Sequence, residues 1–210
     1  MKSILILMSV FLTIATFAAE TNSTPNDAEA KYAAAIEGRT AGILKVLAMT
    51  DTNKAARVHD IIIAQYRALN SWHSGNDAKL KAAKSDTNAV AQIRASLKSL
   101  HEQFLSKLAE NLTPEQIEQV KDKMTYGKVQ FTFNGYDSQY PNLTAENKAE
   151  ILRLLKEARE EAMDGGSSEE KAAVFQRYKG KINNYLSKQG IHPEKKKIGA
   201  AAVTNSASPQ

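Results

Sequence analysis

From about residue 27 onward, apolar residues recur three and four positions apart, the spacing of helices with one buried face. Tyr32, Ala35, Ile36, Ile43, Leu44 and Leu47 predict a helix from about Asp27 to Ala48. A second helix is expected from Thr50, with Val58, Ile61, Ile62, Tyr66, Leu69 and Trp72 inward, and Gly75-Asn76 ending or bending it before Ala78–Lys84. Asp86 is placed to cap a third, Thr87 to Glu110, striped by Val90, Ile93, Leu97, Leu100, Phe104 and Leu108. A fourth runs from Pro114 to about Tyr126, and two more cover Ala145–Met163 and Ser168–Gln189, with Gly190 as a C-cap. The segment 127–142 breaks the rhythm. Val129, Phe131 and Phe133 alternate with polar residues before Gly135, Tyr136, Tyr140 and Pro141, which predicts a short extended stretch or an aromatic loop. The expected fold is therefore all-α, an antiparallel bundle of five or six helices with an irregular aromatic loop at about 127–142.

The first residues follow a different pattern. Lys2 precedes an apolar run from Ile4 to Phe17, and Thr16-Phe17-Ala18 places small residues where a signal peptidase reads them. The run is too short to span a bilayer. The predicted organisation is a signal peptide at 1–18, a linker at 19–26, one helical domain at 27–190 and a disordered tail at 191–210, in a periplasmic or secreted protein. The chain has no cysteine, which removes disulfides and thiol chemistry. Its net charge of +5 is concentrated at the ends: Lys2 supplies one charge, and Lys195–Lys197 against Glu194 supply two more. The remaining +2 on residues 19–190 argues against nucleic acid as a partner, because phosphate backbones demand clustered Lys and Arg.

Three predicted helices open on similar text: Met49-Thr50-Asp51-Thr52-Asn53, Leu112-Thr113-Pro114-Glu115-Gln116 and Leu143-Thr144-Ala145-Glu146-Asn147. Capping explains it. Thr113 is an N-cap, Pro114 sits at the first helical position, Gln116 can close a capping box, and Leu112 and Ile117 are spaced as a hydrophobic staple. The same Leu-Thr-x-x-Gln text resembles the motif of the Spy/CpxP-type periplasmic chaperones. A broader likeness lies in MTDTNKAARVHDIIIAQYRALN (49–70), LHEQFLSKLAENLTPEQIEQVKDKMTYG (100–127) and LLKEAREEAMDGGSSEEKAAVFQRYKGKINNYLSKQG (154–190). These segments resemble an uncharacterised family of exported helical proteins from Gram-negative, polysaccharide-degrading bacteria. The resemblance implies a setting in carbohydrate breakdown and transfers no catalytic residue.

Candidate chemistry is sparse. His59, His73, His101 and His192 are scattered, and only His73 and Asp77 share a helical face, so neither a metal nor any other cofactor is expected. Arg153–Glu157 and Lys156–Glu160 read as ion pairs on a wet helix face. Asp164-Gly165-Gly166-Ser167 reads as a helix connection, with Ser167 and Glu170 spaced as another capping box. Two segments mix aromatic, basic and amide groups as saccharide sites do. They nominate Tyr66, Arg67, Asn70, Trp72 and His73 in one and Arg177, Lys179 and Asn183 in the other, with Tyr136 from the aromatic segment. Gly180, inside a helix, suggests close approach by another helix or a ligand. The expected function is a non-enzymatic accessory role in extracytoplasmic glycan handling, binding a polysaccharide, an oligosaccharide or a partner enzyme. A holdase that shelters client proteins, and a polysaccharide lyase or hydrolase, are the competing expectations.

Overall fold

A computed structural model describes residues 25–194, so the predicted signal peptide, most of the predicted linker and the predicted tail from 195 lie outside the described residues. Seven helices and no strand are present among them: α1 (Pro25–Leu47), α2 (Thr52–Ala82), α3 (Thr87–Ala109), α4 (Pro114–Met124), α5 (Lys128–Gln139), α6 (Ala145–Met163) and α7 (Ser168–Lys188). None is long and apolar enough to cross a membrane.

Side-chain caps start most of these helices. Asp51, Asp86, Thr113, Thr144 and Ser167 each accept a backbone N–H of the following turn, and Thr113–Gln116 and Thr144–Asn147 close reciprocal capping boxes. At the far end Gly190 takes φ +71°, and Ile191 N–H returns to the Leu186 carbonyl, the Schellman arrangement that satisfies a helix C-terminus. Past this cap, Glu194 N–H donates to the Gln139 carbonyl at 2.9 Å.

Two features correct the expectation. Residues 127–142 are not a loop, because α5 fills most of the segment and raises the helix count to seven. Val129, Thr132, Tyr136 and Tyr140 are its buried positions, spaced three or four apart. Phe131 points to solvent at 78% exposure, and its presence between Val129 and Phe133 is what imitates a strand. Nor does Gly75 interrupt α2, which passes through it unbroken.

The apolar residues gather into two clusters. Ile36, Ile43, Val58, Ile62, Phe104, Leu108 and Val120 join α1–α4. Val129, Tyr136, Ile151, Leu155, Phe175 and Ile182 join α5–α7. Helix α6 belongs to both, since Met163 at its end sits in the first cluster. Arg159, one turn earlier and 2% exposed, reaches Asp122 and Glu118 of α4 at 2.7 Å each. A guanidinium removed from water needs such partners to offset its lost hydration. Between Trp72 and Phe104 no residue is buried, so the far ends of α2 and α3 form an arm that packs mainly on itself. The ten residues of α2 beyond Trp72 extend about 15 Å.

Candidate functional site

A cavity of about 650 Å³ is an open groove between α5 and α7. Tyr136 forms its floor: its hydroxyl donates to Asn183 Oδ1 at 2.8 Å, and burial pushes its pKa up to about 12. Tyr140 stacks on it with ring centroids 5.8 Å apart. Phe131 stands at the rim as an exposed aromatic face, beside Lys179 and the amides of Asn134, Gln139 and Gln176. Among the lining residues there is no Asp, Glu or His, so the groove offers aromatic faces, amides and one cation but no carboxylate pair.

A second constellation lies where the root of the α2–α3 arm meets the α6–α7 corner. His73 Nε2 is 2.7 Å from the backbone carbonyl of Asp164, and its Nδ1 is 2.9 Å from Asp77 Oδ1 and 3.8 Å from Glu170 Oε2. Burial works against the charged ring, but these hydrogen bonds leave its pKa raised. His101 of α3 bonds the Asp164 carboxylate at 3.0 Å and lies 3.6 Å from Glu160; the two acids push its pKa up to about 9. Glu160 is partly buried, yet His101 and Lys121, the latter 2.8 Å away, hold it down to about 2. Gly166 makes the corner possible, because a Cβ there would sit 2.8 Å from the His73 ring. Glu170 does not complete the expected box with Ser167; its carboxylate accepts the Gly166 N–H at 2.8 Å instead. Next to it, Lys171 is buried with Nζ on the carbonyls of Met124 and Met163, and burial lowers its pKa to about 8.

A family model described as "Protein of unknown function (DUF3826)" matches residues 33–199. The chain belongs to this family. A search of curated proteins finds no match. The DUF3826 match spans both helical clusters and both constellations, and it assigns a role to neither.

The nine nominated residues of this DUF3826 chain fall into separate places. Tyr136, Lys179 and Asn183 come together in the α5–α7 groove. Tyr66 and Asn70 line a different, small cavity with Tyr32, Arg39 and Tyr126. Trp72 is buried, its indole N–H donating to Ser96 Oγ at 2.8 Å, and it lines no cavity described here. Arg67 pairs with Glu29 at 2.8 Å, while Arg177 pairs with Glu161 and lies over the Tyr178 ring. His73 belongs to the arm-root cluster. Nothing approaches Gly180: a Cβ there would meet no atom within 4 Å, so the close contact expected from its place in a helix is not made. Sequence reasoning passed over Phe131 and Gln139, which the helical phase of α5 brings to the groove, and Gln176, which α7 supplies.

Proposed function

We propose that this protein is an exported accessory factor, periplasmic or secreted, that binds a saccharide in the α5–α7 groove without transforming it. The reading rests on one observation: an exposed aromatic side chain, Phe131, lines the same groove of about 650 Å³ as Tyr136, Lys179 and several amides. Sugar rings present C–H faces that pack on aromatic rings and hydroxyls that pair with amides, and Lys179 adds affinity for acidic sugars. A hydrolase of the usual two-carboxylate kind has no Asp or Glu to use in this lining. A holdase needs broad apolar surface. Among the described residues the exposed large hydrophobics are Val46, Tyr126 and Phe131.

Affinity gels containing polygalacturonate, xylans and neutral plant or algal glycans test this. Retarded migration on at least one glycan is expected, abolished by Phe131→Ala with an unchanged melting temperature, since that ring is mostly solvated. Lys179→Gln should weaken retardation on acidic glycans selectively. Uniform migration of the wild-type protein through every gel would overturn the reading and bring client-protein binding forward.

A further inference from the structure

At the root of the α2–α3 arm, one imidazole is held so that its free nitrogen faces two carboxylates. A backbone carbonyl can only accept, so the Asp164 carbonyl, 2.7 Å from Nε2, fixes the ring's proton on that nitrogen. In the neutral ring Nδ1 then carries a lone pair. That lone pair points at Asp77 Oδ1, 2.9 Å away, with Glu170 Oε2 at 3.8 Å. A neutral ring would set three acceptors together, so either the Nδ1 proton of a His73–Asp77 ion pair or a bound cation must lie between them.

We infer that His73, Asp77 and Glu170 form a binding site for a divalent cation of the zinc class. One ligand atom from each residue can be chosen so that all lie within 4.8 Å of one another. With bonds of about 2.0–2.1 Å, the edge of a tetrahedral zinc site is about 3.3 Å. The separations of 2.9 and 3.8 Å from His73 Nδ1 bracket that edge, and the third edge, between the two carboxylates, is within 4.8 Å.

The surroundings match what a metal site requires beyond its ligands. A histidine ligand is oriented by donating its other N–H, which is what the Asp164 carbonyl accepts. A carboxylate ligand is oriented by hydrogen bonds of its own, and Glu170 accepts the Gly166 N–H at 2.8 Å. The Gly166 backbone packs close against the ring, near enough that a Cβ there would sit 2.8 Å from it. His73 is mostly covered while both carboxylates are about half exposed, leaving one side of the site open to water as a fourth ligand. Asp77 lies one turn after His73 on α2, and Glu170 is in the first turn of α7, so a bound ion would tie the arm to the α6–α7 corner.

Isothermal titration of the untagged, chelator-treated protein with Zn²⁺, alongside Co²⁺ absorption spectra, decides the matter. One equivalent of Zn²⁺ should bind, and Co²⁺ should give the ligand-field bands of a low-coordinate nitrogen–oxygen site. His73→Gln, Asp77→Asn and Glu170→Gln should each weaken binding about tenfold or more, the scale on which even outer-sphere partners act. Asp77 and Glu170 are exposed enough that their variants keep the fold, so these two decide the outcome if His73→Gln does not fold. No binding by the wild type, or binding undiminished in Asp77→Asn and Glu170→Gln, would overturn the inference and leave a His73–Asp77 ion pair.

Discussion

Ile36, Ile43, Val58, Ile62 and Leu108 fill the cluster shared by α1–α4, whereas α5–α7 close around Tyr136, Tyr140, Phe175 and Tyr178. The first cluster is mostly aliphatic, with Tyr66 its one buried hydroxyl. The aromatic one carries hydroxyls that must find partners, and it finds them at its edges: Tyr136 on Asn183, and Asn147 on the Tyr185 hydroxyl. Polar groups held at the margin of an apolar core are also what a ligand meets first. The contrast explains why the groove opens on α5–α7, while the charged chemistry of α1–α4 lies at its boundary with α6, where Arg159, Glu160 and Asp164 face α3 and α4. One helix, α6, closes both cores.

Truncating either core is expected to have the largest effect. Leu155→Ala in the aromatic cluster and Ile62→Ala in the aliphatic one both remove fully buried side chains, and each should cost about 2–5 kcal/mol. Because Met163 and Arg159 join the clusters, both variants should shift a single denaturant transition. A separate early transition in Leu155→Ala alone would show that the two regions fold independently.

A smaller effect comes from pH. His101 faces Asp164 and Glu160 of α6, with Arg94 and Lys98 on its own helix and Lys121 of α4 sharing Glu160. Its folded pKa of about 9 exceeds the ordinary value of 6.5. The stabilisation is therefore fully present below pH 6.5 and is lost as pH rises through 9. Glu160 acts with the opposite sign: held at about 2 in the folded state, it contributes above pH 4.5 and loses that contribution as pH falls toward 2. Melting temperatures measured across this range should decline at the alkaline end in the wild type, and the decline should be flatter in His101→Gln. An equal decline in both would remove His101 as its source.

The smallest changes probe the junction against the groove wall. Gly127, which joins α4 to α5, takes φ +63°, a conformation that costs a residue with a Cβ about 1–2 kcal/mol. Gly180 is helical, exposed and uncrowded, so alanine there should gain about 1 kcal/mol. Thermal denaturation should show Gly127→Ala destabilising and Gly180→Ala stabilising.

Much of this architecture was legible in the chain itself, because capping residues and one-sided apolar stripes are local signals. Asp86, Thr113 and Gly190 sit where their chemistry predicts. The segment around Phe131 misled because an exposed aromatic two positions from a buried valine imitates alternation, and only tertiary packing shows which of the two faces inward. The sites were less legible for a geometric reason. His73 and Asp77 are one helical turn apart and visible as a pair, but Glu170 reaches them from α7, nearly a hundred residues on. Lys179 and Asn183 meet Tyr136 only because α5 is a helix. Trp72, nominated as a sugar platform, is consumed instead by packing and by Ser96.

That burial gives the molecule an optical property. Trp72 is the chain's only tryptophan, set at the root of the α2–α3 arm and edge-on to His73, with ring centroids 5.0 Å apart. Its emission wavelength therefore reports hydration at a single point of the structure. Any event that parts α2 from α3 at this point breaks the bond to Ser96, wets this one indole and shifts its light to the red, without a label and without a second tryptophan to compete.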